Sequence, residues 1–177
     1  MIDMREYGKA LFLITEEERS SDKVLADVKI ADKVLKDNPE YIKLLDSPAV
    51  PKEERISLVD RAFGTLDTNL LNLVKILTQR RLICHFNKVA EAYYGLYDES
   101  RGILRVEAVT AIPLSEGQTK ALSKRLSESL GKTIVLHNTV DRGILGGVTL
   151  RYSGVQLDGS IKTRLDKFEQ ALKQQVI

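Results

Sequence analysis

The chain has 177 residues, enough for one ordinary domain or two small ones whose core needs no disulfide or metal staple. Its 27 lysines and arginines against 25 acids leave a formal charge of +2, too weak a field to point to nucleic acid or an anionic membrane. A single cysteine, Cys84, excludes an internal disulfide and reads as a reduced, structural thiol, and no stretch reaches the roughly 18 apolar residues of a membrane span.

The first hundred residues read at helical period. No basic segment leads into a long apolar run at the N-terminus, so any membrane association is expected through another protein. Tyr7, Ala10, Leu11 and Ile14 share one face of a first helix ending near Thr15. A second helix from about Ser21 stacks Val24, Val28, Ala31 and Leu35 on its buried side, with Lys23, Asp27 and Asp32 outward. Asn38-Pro39 opens a short third helix, because proline is tolerated in a first turn where its missing N–H is not needed. Pro51 followed by Glu53 and Glu54 begins a fourth, with Ile56, Val59 and Phe63 as its stripe and Gly64 at its end. The fifth runs from about Asp67 to Arg80, with Leu70, Leu73, Val74 and Leu77 on one side and Leu71, Lys75 and Thr78 on another. A sixth, from about Ile83 to Ser100, carries Phe86, Val89, Ala90, Tyr93, Leu96 and Tyr97. Six helices with short joints imply an antiparallel bundle.

The period changes at Gly102. Leu104, Val106, Ala108 and Thr110 alternate with Arg105, Glu107 and Val109, which predicts a strand with one wetter face. Ser115 with Gln118 three residues later makes a capping box for a helix bearing Leu122, Leu126 and Leu130, closed by Gly131. Strands follow at Thr133 to Val140 and Gly147 to Tyr152, and Asp158-Gly159-Ser160 caps a last helix with Ile161, Leu165, Phe168 and Leu172 on one face. The order is strand, helix, strand, strand, helix. The fold class is therefore an all-α six-helix bundle over residues 1–101, followed by a small α+β domain over residues 102–177.

Catalytic chemistry is missing from this pattern. Gly131-Lys132-Thr133 imitates the end of a nucleotide-binding P-loop, but Leu126 stands where that loop needs glycine, and the tripeptide follows a helix instead of opening one. Gly143, Gly146 and Gly147 lie between two strands, away from any helix N-terminus, and read as a turn or bulge. Asp141 and Asp158 occupy turn and cap positions. Cys84, His85 and His137 have no metal-ligand spacing. Arg142, Arg151, Lys162 and Arg164 with Tyr152 make only a loose basic group without an RNA-binding motif.

The block running from Val140-Asp141 through Leu145-Gly146-Gly147 to Leu157-Asp158-Gly159-Ser160-Ile161 and Arg164-Leu165 resembles the delta subunit of bacterial F-type ATP synthases, counterpart of the mitochondrial oligomycin-sensitivity-conferring protein. Tyr7-Gly8-Lys9-Ala10-Leu11 is similar to that family's opening Tyr-Ala-x-Ala-Leu, with Gly8 in place of the usual alanine, and Arg81-Leu82 and Ala108 through Leu114 add to the match. The resemblance implies a non-catalytic stator subunit, without cofactor or metal, that links the catalytic head to the peripheral stalk so that proton-driven rotation is coupled to ATP synthesis. It implies that the helical domain receives N-terminal segments of the alpha subunits between its first and fifth helices. The candidates for that face are Met4, Tyr7, Leu11, Leu71, Lys75 and Thr78. It further implies that the second domain holds the b subunits of the stalk, and that the protein sits peripherally on the cytoplasmic face of the bacterial cell membrane. The alternative is a nucleic-acid or nucleotide-binding adaptor.

Overall fold

A computed structural model describes residues 3–144, 146–152 and 154–159, and the chain divides into two compact units, Met1–Ser100 and Arg101–Ile177. The first contains α1 (Met4–Glu17), α2 (Ser21–Asp37), α3 (Pro39–Asp46), α4 (Lys52–Phe63), α5 (Thr68–Gln79), a 3-10 turn at Ile83–His85, and α6 (Phe86–Ser100). Local chemistry sets several of these boundaries. The side chain of Asp3 accepts from the Arg5 amide at 3.0 Å, and that of Asp67 accepts from the Asn69 amide at 2.9 Å, so each occupies an otherwise orphaned donor at a helix start. Pro39 stands in the first turn of α3, while Asn38 turns back to donate from Nδ2 to the Val34 carbonyl at 2.8 Å. The expected sixth helix is split, because Ile83–His85 winds as a tighter 3-10 turn before α6 begins.

One core joins all six helices of this unit. Val24, Val28 and Ala31 of α2, Val59 and Phe63 of α4, Leu70, Val74 and Leu77 of α5, and Val89 and Tyr93 of α6 are buried together, with Leu11 and Phe12 of α1 and Leu45 of α3. Fully burying each such large apolar side chain contributes about 1.5–3 kcal/mol before the entropy of ordering is subtracted. Buried polar groups are tied into the same core. The Tyr93 hydroxyl lies 3.0 Å from Thr15 Oγ1 and donates to the Ser21 carbonyl at 3.2 Å, while its ring meets Phe12 edge-on at 5.7 Å. Arg55 sends Nη1 to the carbonyls of Leu45, 3.1 Å away, and Thr78, 2.8 Å away. Its positive charge thereby meets the C-terminal turns of α3 and α5, where carbonyls lack intrahelical donors and the dipole is negative.

Gly8 explains the close crossing of α1 and α6. A Cβ there would press on the Val89 carbonyl oxygen and stand 2.8 Å from Ala92 Cβ, so the departure from alanine in the opening motif is matched to this helix pair.

The second unit is a four-stranded mixed sheet in the order β2-β1-β3-β4, with β1 (Ile103–Thr110), β2 (Thr133–Val140), β3 (Val148–Tyr152) and β4 (Val155–Asp158). The chain passes from β1 to its parallel neighbour β2 through α7 (Glu116–Leu130), whereas β3 runs antiparallel to β1 and β4 antiparallel to β3. Ser115 and Gln118 form both hydrogen bonds of the capping box, and Gly131 closes α7 with φ of 65°. Val106, Ala108 and Leu150 are the buried centre, covered by Leu122 and Leu126 of α7 with Ile134 and Leu136 of β2. Asn138 locks the loop after β1: its Nδ2 donates to the Ala108 carbonyl at 2.8 Å, and its Oδ1 accepts from the Leu114 amide at 2.8 Å.

The mixture of helices with a small mixed sheet is an α+β arrangement. β4 was not among the expected elements: its residues Val155–Asp158 are all exposed, and four residues at a sheet edge offer too little apolar alternation to read as a strand. The face of β1 expected to be wetter also buries Val109. The expected last helix, with Ile161, Leu165, Phe168 and Leu172, lies outside the described residues, as do Leu145, Lys162 and Arg164.

Candidate functional site

The helical unit carries an open apolar seam along α1 and α5. Hydrogen bonds at both ends show that the two helices run antiparallel: Arg80 Nη1, after α5, donates to the Tyr7 hydroxyl at 2.8 Å, and Asn69 Nδ2, at the start of α5, donates to Glu18 Oε2 at 2.8 Å. On α1 the residues between those ends on the same side are Leu11 and Ile14; on α5 they are Leu73 and Ile76. Leu11 and Leu73 are buried beneath, whereas Ile14 stays 44% exposed and Ile76 42%. Leu13 on the outer face of α1 is 67% exposed. Singly exposed aliphatics need no explanation, but isoleucines on two adjoining helices, above a buried leucine floor, form a seam that an apolar partner stripe can fill.

The six expected partner-binding residues divide between two places. Met4 and Leu11 are buried under α1, and Tyr7 is half-buried with its hydroxyl held by Arg80. Leu71, Lys75 and Thr78 lie on the other side of α5, toward α4. Lys75 is ion-paired with Asp60 of α4, Thr78 is fully buried with its carbonyl held by Arg55, and Leu71 packs on the core. Ile14 and Ile76 were not among those candidates. Ile14 fits the periodic stripe of α1 and so reads as core, and periodicity alone does not tell which edge of a stripe the next helix leaves open.

Sites with the outline of chemistry are occupied by structural bonds. Gly131 ends α7 and opens β2, the reverse of a phosphate-binding loop. The Gly143 amide donates to Asp141 Oδ1 at 2.8 Å, an aspartate-anchored turn, and Gly147 follows with φ of 90°. Cys84 is exposed, and its amide donates to Asp46 Oδ2 at 3.3 Å; partial burial, with Asp46 beside it, pushes the thiol pKa up and away from a reactive thiolate. Among the described residues no group of three or more His, Cys, Asp or Glu is placed to hold a metal ion.

On the sheet face away from α7, register aligns Gln156, Arg151, Glu107 and His137 in one row across all four strands. Glu107 accepts from Thr139 Oγ1 at 2.8 Å and faces Arg151 at 3.7 Å, while Arg151 Nε donates to Gln156 at 3.3 Å. The bonds among Glu107, Thr139, Arg151 and Gln156 make a cross-strand ladder without an activated base or nucleophile.

Comparison with known proteins gives a consistent result. The family model described as ATP synthase delta (OSCP) subunit matches residues 4–172. The ATP synthase subunit delta of Clostridioides difficile is 35% identical over 170 residues, covering 95% of this chain and 94% of that protein. The subunit delta of Lactobacillus gasseri is 30% identical over 94% of this chain and 92% of its own length. Among solved structures, a chain of the Toxoplasma gondii mitochondrial ATP synthase hexamer aligns with a TM-score of 0.72 and 25% identity, over 97% of this chain and 98% of that one.

Proposed function

The chain belongs to the ATP synthase delta (OSCP) family, and from that premise we propose how its two units divide the work of a stator. It is a non-catalytic structural subunit of the F-type ATP synthase complex, linking catalytic head to peripheral stalk. The six helices act as a bundle that receives N-terminal segments of the alpha subunits, and the residues beyond about 101 hold the b subunits of the stalk. In this reading attachment to the cytoplasmic face of the bacterial cell membrane runs through the complex; among the described residues no helix is long and apolar enough to cross a membrane.

The observation that carries the alpha-subunit assignment is the open seam of Ile14 and Ile76 between α1 and α5. An amphipathic helix docks by laying its apolar stripe into a groove with apolar side chains at helical spacing, and this seam has that form. Leu11 and Leu73 make its floor and Tyr7, Ile14 and Ile76 its rim, with Met4 buried one turn before Tyr7, while Leu71, Lys75 and Thr78 fix α5 against α4. A stator joint must outlast many turnovers, and affinity among related interfaces is set mostly by the rate of dissociation.

The test is titration of the full chain with a peptide of the alpha-subunit N-terminus from the same organism, beside an Ile14→Asp, Ile76→Asp variant. Saturable binding to the native chain, weakened at least tenfold in the variant at unchanged melting temperature, is the expected outcome. Equal binding by both would remove the seam from the assignment. For the second unit, failure of the chain to travel with the b subunit from a membrane fraction would overturn the stalk assignment.

A further inference from the structure

We propose that the α1–α5 seam selects its helix by charge as well as by apolar fit: Glu18 at one end takes a basic residue of the partner, and Arg80 at the other takes an acidic one. This rests on the reading of the seam as a helix-docking groove and adds to it the partner's charge pattern.

The argument begins with how these two charges are held. Several charged side chains on the helices are neutralised locally, Lys9 by Glu6, Lys36 by Asp32, Lys43 by Glu40 and Lys75 by Asp60, while others, such as Lys29 and Arg61, form no ion pair among the described residues. Glu18 and Arg80 are treated differently. Each is exposed, each is oriented by a hydrogen bond that crosses between the two helices, and in each case the bonding partner is neutral, the Asn69 amide for Glu18 and the Tyr7 phenol for Arg80. Among the described residues neither forms an ion pair. A neutral partner fixes the position of a charge without cancelling its field, so a negative and a positive group stand pre-oriented on the rim of an apolar seam.

Spacing then defines the occupant. Tyr7 and Glu18 are separated by three turns of α1, about 16 Å at the rise of an α-helix. Ile14 and Ile76 lie between those ends. The partner that fits is an amphipathic helix of at least three turns, with a basic residue and an acidic residue flanking its apolar stripe three turns apart. A helix with like charges at both positions meets one matched and one repelled end, which is how rim charges confer specificity without adding much affinity.

The experiment uses three synthetic amphipathic peptides with one apolar stripe, carrying at the two flanking positions Lys and Glu, Lys and Lys, or Glu and Glu. The native full chain is expected to bind the Lys/Glu peptide about tenfold more tightly than either other, the effect of one exposed ion pair gained and one like-charge contact removed, and the margin should shrink at high salt. Glu18→Arg should move the preference to the Glu/Glu peptide, and Arg80→Glu to the Lys/Lys peptide. Glu18→Gln, which keeps an acceptor for Asn69, should only flatten it. Melting temperatures of all variants control for folding. Equal affinity of the native chain for the three peptides, or variants that keep the native preference, would overturn the charge selection while leaving the apolar seam in place. Absence of binding by all three and by the alpha-subunit peptide would remove the groove itself and this inference with it.

Discussion

The helical unit and the sheet unit differ in where most of their bonded polar side chains lie. In the first, Thr15, Arg55 and Tyr93 are buried and bonded to backbone or to one another. In the second, Asn138 and the buried Thr110 and Thr149 are the counterparts, but Gln156, Arg151 and Glu107 lie in a row on the sheet face away from α7 and bond sideways along it. The difference shows where each unit gets its definition. A helix end leaves carbonyls that something must satisfy, so a helical core can use buried polar groups as joints. A sheet satisfies its backbone within its ladder, so polar side chains are left over for its surface.

Substitutions can break or sharpen this contrast. The largest effect is expected from Arg55→Met, which leaves the Leu45 and Thr78 carbonyls without their shared donor and should cost about 2–5 kcal/mol by denaturant titration. A loss under about 1 kcal/mol would show that the joint is not needed. Gly8→Ala is next: the gain in helix propensity, about 1 kcal/mol, works against crowding at Val89 and Ala92 that costs about 1–3 kcal/mol, so a net loss of stability is expected. A stabilised Gly8→Ala variant would mean that α1 slides away from α6 without penalty.

Tyr93→Phe should cost about 1 kcal/mol for the hydrogen bonds to Thr15 and Ser21, and should also alter the response to alkali. Burial pushes the Tyr93 phenol above its ordinary value of about 10, so the folded chain binds this proton more tightly than the unfolded one. Its contribution is full below that ordinary value and is lost as pH rises through the folded value. Stability profiles above pH about 10 should therefore fall less steeply in the variant. The smallest effect belongs to the sheet unit, where Ser115→Ala removes one half of an exposed capping box and should cost about 0.5 kcal/mol, read as faster amide exchange in the first turn of α7.

Elements with a long repeat were legible in the sequence, and those defined by neighbours were not. α2 shows its stripe of Val24, Val28, Ala31 and Leu35 because a 3.6 period over many residues has few competing explanations. β2 was read with its observed ends, since Gly131 and the Asp141 turn bracket it. β4 has no such length. The partition of α5 into a side toward α1 and a side toward α4 is not legible in the sequence either, because Ile76 and Lys75 adjoin and differ only in which helix lies beside them. The open seam is a property of three packed helices, and a single amphipathic stripe does not encode it.

The placement of β1 at the centre of its sheet bears on how the chain is made. β1 leaves the ribosome first of the four strands, yet its two neighbours are β2, which lies beyond the whole of α7, and β3, which comes later still. At ordinary elongation rates both edges of Ile103–Thr110 stay without partners for on the order of seconds, the interval in which unpaired strands find wrong ones. Arg105 and Glu107 in the middle of that strand would each face its own kind in a parallel, in-register pair of nascent β1 strands, and so discourage that pairing until Val140 and Tyr152 have been added.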